Sequence, residues 1–390
     1  MERKKIRVKH VLHSIRRCKV KHPSSYLDWY IHVPKVKYDF RSSGLAYFEF
    51  DLNLGEVDLS ANYAHGNPET AKLLAHRYNV QSENVFISSE GASGQNARII
   101  RYLAERNRDK TEAIVEYPTY EPLLRQAQEN FPRLKRLERK EKEAYGLDVD
   151  QLRKIASEKT ALLVLTNPHA PSGAVADREE LEGIMEVAEE YGFFVVCDEI
   201  YAEFDRSAVP TVFSVNKDLG IVTTSFTKAY GLGGLKLGTA LANSGLVDEL
   251  YTDVLNTVGN SPNVVQLVAI ELLEKAMKKL EEHKRKWVRI KNETEKWLEQ
   301  KRLEYSPSKF GVTYWVKLPI KDTYRWINEY AIPRYGVAPV PGSFFVFKDG
   351  YELARSDRIR LGLGAINPDE PRLAEAFEAM EKAIDTWIPK

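Results

Sequence analysis

The sequence predicts an α/β fold in which helices sandwich a mainly parallel sheet, with a smaller α+β domain beside it. Between about residues 69 and 242, short apolar runs bounded by turn residues alternate with stretches of helical period. Strand, helix, strand in this order is typical of a parallel sheet covered on both faces. An apolar content of 43% is ample for a large buried core.

Three strand–helix pairs follow one another along this region. They are NVFISS with GASGQNARIIRYLAERN, TEAIVEY with PTYEPLLRQAQEN, and TALLVLT with DREELEGIMEVAEEYG. Two further apolar runs of strand length are FFVVCDE and LGIVTTS. In such sheets ligands bind outside the carboxyl ends of the strands, so the residues that follow these runs are the candidates for a functional site.

The last third of the chain predicts a smaller domain. A helix of about 40 residues follows Pro262 and carries apolar residues at three- and four-residue steps, namely Val264, Leu267, Ile270, Leu273 and Met277. Strands and helices then alternate up to a closing amphipathic helix, RLAEAFEAMEKAIDTWI. We predict a basic N-terminal arm that joins the small domain (1–45), a large domain (46–270) and a C-terminal small domain (271–390).

The overall charge gives no argument for a nucleic-acid partner. Lysine and arginine number 57 against 56 aspartate and glutamate residues. Only the first 40 residues are basic, with 11 lysines or arginines, 3 acids and four of the eight histidines. So short an arm is more typical of a solvated or docked terminus than of a DNA-reading domain, so binding to nucleic acid is not expected.

The sequence also indicates the cellular compartment. No run of 18 apolar residues is present, and no apolar segment follows the N-terminal charges, so we expect neither a membrane span nor a signal peptide. Cys18 and Cys197 are too few for a disulfide framework and lack metal-ligand spacing. We therefore expect a cytoplasmic protein with two reduced thiols and no metal site.

One candidate site is the turn Gly91-Ala92-Ser93, between a strand and a helix. Free backbone amides and the positive end of the helix suit a phosphate there. A second candidate is Asp198, at the end of a buried strand, where an ionised carboxylate needs a partner. Each has a structural alternative: short Gly-Ala-Ser turns are common connections between a strand and a helix, and aspartate often caps a helix.

A lysine in a glycine-rich turn is the third candidate. Ser225 and Lys228 follow the run GIVTTS, and four glycines follow them. Removing a charged amine from water costs free energy, and the neutral amine is a good nucleophile toward a carbonyl group. A lysine in a crowded turn therefore indicates a functional role. A surface lysine in an ordinary loop is the alternative.

Taken together, these stretches resemble the pyridoxal-phosphate-dependent enzymes of fold type I, specifically the class I and II aminotransferase family. The stretches are SSEGASGQN, YPTYEP, TNPHAPSG, CDEIYAEF and TTSFTKAYGLGGLKLG, in the family's order. The resemblance runs from about residue 44 to the end of the chain. A phosphorylated aldehyde ring needs the amine, acid, phenol, aromatic face and phosphate donors that these stretches contain.

The resemblance implies a role for each matching residue. Lys228 would bond covalently to the cofactor and later move a proton from the substrate's α carbon. Asp198 would pair with the ring nitrogen, Tyr201 would bond the ring hydroxyl, and Tyr120 would stack on the ring. The phosphate would lie on Gly91, Ala92, Ser93, Ser225 and Lys236.

The resemblance also implies a substrate site and a dimer. Arg360, in SDRIRLGLG, stands at the family's position for the substrate α-carboxylate, which a guanidinium can hold by two parallel hydrogen bonds. Gly44 would contact the same carboxylate through its backbone. Tyr63, in NYAHGNPE, is similar to the family tyrosine that reaches the partner's phosphate, so a homodimer with shared active sites is expected.

The sequence departs from the family pattern at two positions. Ala170 stands where the family usually has an asparagine that donates to the ring oxygen, and losing such a bond is worth about 1.5 to 3 kcal/mol. Asn167, three residues earlier, is either a turn residue or a substitute donor, and His169 is interpreted as a loop residue. Lys236 stands where the family most often has an arginine that binds the phosphate. A lysine can bind a phosphate as a point charge but cannot form the two parallel hydrogen bonds of a guanidinium.

The leading functional prediction is an aminotransferase that moves the amino group of an L-amino acid to a 2-oxo acid through the pyridoxamine form of the cofactor. The same apparatus serves a carbon–sulfur β-lyase, which is the first alternative. A non-catalytic regulator that binds the cofactor and contacts nucleic acid through residues 1–22 is the second. The sequence leaves aromatic, branched and small donors open.

Overall fold

The structure is a computed structural model that describes residues 25–46, 48–347, 350, 352–369 and 372–388. It contains two sheets, one of seven strands and one of five. The strands are β1 (Tyr38–Phe40), β2 (Val85–Ser88), β3 (Glu112–Tyr117), β4 (Arg133–Glu138), β5 (Thr160–Thr166), β6 (Phe194–Asp198), β7 (Gly220–Ser225), β8 (Gly238–Leu241), β9 (Tyr305–Pro307), β10 (Thr313–Lys317), β11 (Val337–Pro341) and β12 (Arg358–Gly362).

The helices alternate with the strands in the first two thirds of the chain. They are α1 (Ser25–His32), α2 (Pro68–Tyr78), α3 (Gly91–Arg106), α4 (Glu121–Asn130), α5 (Val149–Ile155), α6 (Arg178–Tyr191), α7 (Val212–Val215), α8 (Ser244–Thr257), α9 (Asn263–Gln300), α10 (Thr323–Trp326) and α11 (Leu373–Asp385). A π-helical segment, Ile327–Tyr335, continues α10. No helix in the described part of the chain is both long enough and apolar enough to cross a membrane.

The seven-stranded sheet is the parallel sheet that the sequence predicts. Its order is β2-β8-β7-β6-β5-β3-β4, and β8 alone runs against its neighbours. Along β5 the side chains alternate between two apolar clusters, with Leu162 on one face and Leu163 on the other. One cluster packs under α3, α4 and α8 and the other under α2, α5, α6 and α7, so helices cover both faces.

The five-stranded sheet has the order β1-β11-β12-β10-β9. The strand β1 pairs in parallel with β11, Tyr38 opposite Val337, while the other pairs are antiparallel. The N-terminal segment thus lies in the sheet of the C-terminal region, although about 300 residues separate the two strands along the chain. This long-range pairing places the N-terminal segment in the same sheet as β12, which carries Arg360.

The long helix is confirmed, but its buried face is not the one that the periodicity suggested. Of the five apolar positions in the predicted stripe, only Leu273 is buried, and Val264 and Met277 are 37% and 39% exposed. The buried face carries Gln266 and Ala269 instead. Apolar residues occupy two faces of the first half of α9, so spacing alone could not select the one that packs against α2. The expected boundary at residue 270 falls inside this continuous helix.

The sequence analysis did not identify β1, β4 or β8, and β4 shows why. The strand β4, with the sequence RLKRLE, lies at the edge of the large sheet and buries only Leu137 fully. Charged side chains are common on edge strands, because they discourage pairing with other chains. The same charges hid β4 from a search for apolar runs.

An aromatic stack connects β1 to the C-terminal helices and gives a stability prediction. The Phe40 ring is 1% exposed and lies 6.0 Å from that of Phe377, which stacks on Trp297 at 4.6 Å. We expect Phe40→Ala to lower the free energy of unfolding by about 3 to 5 kcal/mol, because it leaves a cavity in this stack.

Urea denaturation followed by circular dichroism measures this change. Val288→Ala is the matched control on α9, because Val288 is 58% exposed, and its effect should stay within about 0.5 kcal/mol. Equal destabilisation by the two variants would contradict the proposed contribution of the stack.

Candidate active site

A cavity of about 630 Å³ opens at the carboxyl ends of the parallel strands. Volumes of this size are typical of small-molecule sites. All five motif stretches that the sequence singled out contribute to its walls, together with α1 and β12. The lining includes Tyr26, Gly44, Gly91, Ala92, Ser93, Tyr120, Ala170, Asp198, Tyr201, Ser225, Lys228, Lys236 and Arg360.

The amine of Lys228 lies deep in this cavity, in the turn after β7. Its Nζ donates to Oγ of Ser43 at 3.2 Å, and the described residues give it no carboxylate partner within bonding distance. Burial lowers the pKa of Lys228, and the charges of Arg360 and Lys236 act in the same direction, while Tyr26 and Asp198 oppose them. A substantial neutral fraction of this amine is therefore accessible nearer neutral pH than for an exposed lysine.

Close backbone packing holds the lysine turn in place. Leu45 donates its backbone N–H to the carbonyl of Lys228 at 2.8 Å. A β-carbon at Gly44 would lie 2.7 Å from Cα of Lys228, so this approach requires glycine. Gly44 is therefore needed for packing, besides lining the cavity next to the amine.

Asp198 ends β6 and is 7% exposed. Its Oδ2 accepts from the side-chain amide of Asn96 at 2.8 Å, and its Oδ1 accepts from the backbone N–H of Ile200 at 3.1 Å. Burial raises the pKa of Asp198 to about 6, although both hydrogen bonds and the charge of Lys228 favour the ionised form. A cationic group placed against this carboxylate would stabilise the ionised form further.

Asn96 is a site residue that the sequence analysis missed. Its Oδ1 accepts from the hydroxyl of Thr223 at 2.6 Å, which orients its amide toward Asp198. Asn96 lies on α3, about one turn after the glycine turn, and inside the quoted stretch SSEGASGQN. Its position in that stretch was the available signal, but only the fold brings α3 against β6.

The turn at the start of α3 forms an anion cradle. Gly91 has a φ of 65° and donates its N–H to the carbonyl of Lys236 at 2.7 Å. The amides of Ala92 and Ser93 are in the first turn of α3, and in the described part of the chain no acceptor pairs with them. Ser225 lines the same region and is held by Thr227. Two helix amides and a nearby hydroxyl suit a phosphate group.

Lys236 adds a cation to this cradle. Its backbone is left-handed, with a φ of 56°, and its side chain is exposed. Lysine in this conformation is uncommon outside turns. Its backbone carbonyl already holds Gly91, so one residue contributes both the geometry of the turn and its positive charge.

Two tyrosines line the same cavity as Asp198 and Lys228. Tyr120 is the residue before α4, its ring lies 5.6 Å from that of Tyr26 in an edge-on arrangement, and burial raises its pKa well above the usual range. Tyr201 follows β6 and also lines the cavity. An aromatic face and a phenol are thus both available to a flat ring.

Asn167 and His169 are oriented away from the cavity. The side-chain amide of Asn167 donates to the carbonyl of Pro210 at 3.0 Å, and its Oδ1 accepts from the N–H of Ala176 at 3.0 Å. Asn167 is not among the residues that line the cavity, and both ends of its amide are already engaged, one by Pro210 and the other by Ala176, which favours its interpretation as a turn residue.

His169 is a buried structural residue and not merely part of a loop. Its Nε2–H donates to the carbonyl of Pro118 at 2.9 Å, so its Nδ1 accepts from the hydroxyl of Ser172 at 2.7 Å. Burial lowers the pKa of His169 well below the usual range. The neutral imidazole connects the loops after β3 and β5 beneath the cavity.

Arg360 approaches the cavity from β12 and is 3% exposed. Its Nη2 donates to the backbone carbonyl of Arg41 at 2.7 Å and to the hydroxyl of Tyr26 at 3.2 Å. Its buried Nε–H has no acceptor among the described residues, and none of their carboxylates pairs with the guanidinium. A buried guanidinium with an unused donor is poised for an anionic ligand.

These residues fit pyridoxal phosphate and an amino acid. Two unpaired amides and Lys236 suit the phosphate, the amine of Lys228 with its lowered pKa suits the aldehyde, and the unused Nε–H of Arg360 suits a carboxylate. The family model for class I and II aminotransferases matches residues 56–379, which is most of the chain.

The chain belongs to the class I and II aminotransferase family. Among curated relatives, an aspartate aminotransferase of Pyrococcus horikoshii is 26% identical over 344 residues, which is 82% of each protein. An aromatic-amino-acid aminotransferase of Thermococcus litoralis is 26% identical over 304 residues, covering 75% of this chain and 74% of the relative. This chain is accordingly a pyridoxal-phosphate-dependent aminotransferase.

Solved structures show the same fold. A pyridoxal-phosphate-dependent aminotransferase from Streptococcus suis superposes with a TM-score of 0.77 over 95% of this chain and 100% of its own, at 22% identity. The prediction of a fold type I architecture is therefore confirmed.

The raised pKa of Asp198 gives a prediction about cofactor binding. Asp198 loses its charge as the pH falls through about 6, and an uncharged carboxyl cannot pair with a protonated ring nitrogen. We expect the dissociation constant of pyridoxal phosphate to rise by up to about tenfold per pH unit below that point.

Equilibrium dialysis between pH 5 and 8 measures this dependence. Asp198→Asn should bind weakly with a flatter profile, whereas Asp109→Asn, at an exposed position, should follow the wild type. Parallel profiles for the wild type and Asp198→Asn would show that another group controls the dependence.

Proposed function

We propose that Lys228, Asp198 and Arg360 divide the chemistry of amino-group transfer between an L-amino acid and a 2-oxo acid. The observation that carries this assignment is that one cavity contains a buried amine with a lowered pKa, a buried carboxylate and a buried guanidinium with an unused donor. Each group matches one requirement of the reaction. The same cavity contains a cradle for a phosphate.

Pyridoxal phosphate, when bound, supplies an aldehyde that bonds to amines and a ring that accepts electrons from the substrate's α carbon. Asp198 would pair with its ring nitrogen, Tyr201 would donate to its ring hydroxyl, and Tyr120 would cover its face. The amides of Ala92 and Ser93, with Ser225 and Lys236, would hold its phosphate. Asn96 keeps the carboxylate of Asp198 oriented for this contact.

Lys228 acts as the covalent anchor and as the base. Its lowered pKa favours the neutral amine, which is the form that bonds to an aldehyde and accepts a proton. With cofactor and substrate bound, Nζ of Lys228 would lie beside the substrate's α carbon and would take up the proton that leaves that carbon. Ser43, which accepts from Nζ in the structure, helps to orient it.

Arg360 binds the substrate's α-carboxylate. Its Nη2 is held by Arg41 and Tyr26, while its Nε–H remains available. A fixed guanidinium orients the carboxylate and so places the α carbon near Lys228. Gly44 lines the same part of the cavity and would contact the carboxylate through its backbone.

Ala170 and Lys236 change which hydrogen-bond donors the site offers to the cofactor. Ala170 lines the cavity with a methyl group, and its N–H is already donated to the hydroxyl of Thr166 at 2.8 Å. The ring oxygen therefore depends on Tyr201 for a donor among the residues of this chain that we assign to the cofactor. Lys236 supplies a point charge to the phosphate in place of a two-pronged guanidinium.

We infer that the enzyme is a homodimer with shared active sites. Tyr63 is 38% exposed and does not line the cavity of its own chain. Exposed apolar residues surround it, including Leu59 at 79% and Val258 at 63%, and a hydrogen bond from Asn260 to Asn62 joins the two segments. An apolar patch of this kind favours an interface with a second copy.

We also infer a cytoplasmic location. Cys197 is a free, buried thiol, which is usual for proteins of a reducing compartment. Cys18 and the basic residues 1–22 lie outside the described residues. The alternative of a regulator that contacts nucleic acid therefore rests on the charge of that segment alone, and it is not part of the proposed function.

Replacing the lysine tests the proposed chemistry. We expect Lys228→Ala to abolish amino-group transfer, by at least about a thousandfold, because it removes both the covalent anchor and the base. The measurement is a coupled transaminase assay, combined with the absorbance spectrum of the protein saturated with pyridoxal phosphate.

Lys217→Ala, at an exposed position, is the matched control and should retain wild-type turnover. Normal turnover by Lys228→Ala would refute the assignment. Pyruvate and ammonia formed from cysteine without an oxo acid would instead identify a carbon–sulfur lyase, and loading without turnover of any amino acid would favour a cofactor-binding regulator.

Subunit mixing tests whether Tyr63 acts across the dimer. Tyr63→Ala should weaken binding of pyridoxal phosphate, and Lys228→Ala should be inactive. In a mixed dimer, the site with Lys228 of one chain and Tyr63 of the other is intact. We therefore expect the mixture to recover up to about half of the wild-type activity per mixed dimer at limiting cofactor, because one of its two sites is complete.

Mixing Tyr63→Ala with the double variant Tyr63→Ala/Lys228→Ala is the control and should recover nothing. Gel filtration gives the oligomeric state. A monomer, or a mixture without recovery, would rule out a shared site.

A further inference from the structure

Helix α1 forms one wall of the cavity. Three of its side chains, Tyr26, Leu27 and Tyr30, line the space, whereas Trp29 packs away from it against Phe344. The rings of Tyr26 and Tyr30 lie 5.9 Å apart. Tyr120 completes the group, with its ring 5.6 Å from that of Tyr26. The part of the cavity next to Arg360 is therefore bounded by aromatic rings.

The position of α1 is set by a buried carboxylate. Glu121 accepts from the backbone N–H of Ser25 at 3.0 Å and from that of Tyr26 at 2.6 Å, so it caps the first turn of α1. Arg125 pairs with the same carboxylate at 2.9 Å. Glu121 directly follows Tyr120, so one short segment holds both the ring-face tyrosine and the helix that covers the site.

Tyr26 also contacts the guanidinium that we assign to the substrate. Its hydroxyl accepts from Nη2 of Arg360 at 3.2 Å, and its ring lies 5.7 Å from the guanidinium carbon. Tyr26 is 6% exposed, and its ring is wedged between Tyr120 and Phe344. It is therefore rigid, and it connects the carboxylate site with the aromatic wall.

The charges of the lining disfavour a second acidic group on the substrate. The only cationic side chains in the described lining are Lys228, Lys236 and Arg360, which we assign to the aldehyde, the phosphate and the α-carboxylate. Arg41 lies beside the lining, but it pairs with both oxygens of Asp39, at 2.7 and 2.9 Å. Among the residues that the structure describes in one chain, no further cation lines the cavity to bind a distal carboxylate.

We propose that α1 is the specificity element of this enzyme, and that Tyr26 and Tyr30 form a pocket for the side chain of an aromatic or large apolar L-amino acid. This inference rests on the proposed function. Tyr30 contacts the side chain directly, because it lines the cavity and is only partly buried. Tyr26 has a second, positioning role through Arg360. Aromatic rings pack edge-on or offset against one another, which favours an aromatic donor.

The donor half-reaction tests the preference. The protein loaded with pyridoxal phosphate is mixed with L-phenylalanine, L-aspartate or L-alanine without any oxo acid, and the absorbance of the cofactor is followed over time. We expect the ratio of rate constant to half-saturation constant to be at least about tenfold higher for L-phenylalanine than for the other two, as expected for a pocket filled by the correct side chain.

Variants separate the two tyrosines. For each donor we compare the rate constant divided by the half-saturation constant. Tyr30→Ala should lower this value about tenfold for L-phenylalanine and leave it unchanged for L-alanine. Tyr30→Phe retains the ring and should retain the preference for L-phenylalanine. Tyr26→Phe should raise the half-saturation constant of all three donors by a similar factor, about tenfold, because it removes a hydrogen bond to a charged group. Ile31→Ala, 73% exposed on the same helix, is the matched control.

A binding measurement gives a readout that does not depend on turnover. Titration calorimetry of the loaded protein with 3-phenylpropionate and with succinate compares an aromatic monocarboxylate with a dicarboxylate. We expect 3-phenylpropionate to bind more tightly, and Tyr30→Ala to reduce that advantage by about tenfold.

The outcomes distinguish this inference from the proposed function. If no amino acid converts the cofactor, the proposed function fails. If L-aspartate or L-alanine is the best donor, the proposed function is retained and the proposed role of α1 is wrong. The same conclusion follows if Tyr30→Ala changes neither the order of the three donors nor the affinity for 3-phenylpropionate. Tighter binding of succinate would indicate a cation from the second subunit.

Discussion

The burial of one amine is the constraint on which the rest of the site depends. Lys228 lies in the cavity with no carboxylate partner among the described residues, and burial favours its neutral form. Such a group persists only where backbone packing holds the turn that carries it. Gly44 packs against Cα of Lys228, and a β-carbon on Gly364 would lie 2.2 Å from the carbonyl oxygen of Gly44. Two glycines thus bring the lysine turn, the N-terminal segment and the turn after β12 together.

The charges of the cavity explain which ligands it accepts. Lys228, Lys236 and Arg360 are cationic or can become so, and the N-terminus of α3 adds a partial positive charge. Asp198 has the opposite preference, because its carboxylate suits a protonated ring nitrogen and not a phosphate. A ligand with a protonated ring at one place and anions at two others satisfies this pattern.

The small sheet contributes as much to the site as the large one. The pairing of β1 with β11 fixes the N-terminal segment beside β12, so Arg41 and Tyr26 can both hold the guanidinium of Arg360. The capping contact from Glu121 joins α1 to the large domain. Under the proposed function, recognition of the substrate's carboxylate and of its side chain would both depend on helix α1.

The sequence by itself determined the fold class, the alternation of strands and helices in the large domain, and the chemistry of the stretches that follow the apolar strands. Local signals were sufficient there, because alternation of apolar runs with helical periods specifies a parallel sheet, and such a sheet collects the ends of its strands at one edge. Lys228, Asp198 and Tyr120 could be selected in this way, whereas β4 could not, because its charged residues lack an apolar period.

Only the tertiary structure decided the contacts between residues that are distant along the chain. The pairing of Asn96 with Asp198, the contact of Tyr26 with Arg360 and the buried face of α9 depend on which surfaces meet. Asn167 faces Pro210 and not the cavity because a neighbouring loop offers it partners. Buried polar groups form hydrogen bonds with the partners that the fold places next to them. The spacing of residues in a single sequence does not show which partners these are.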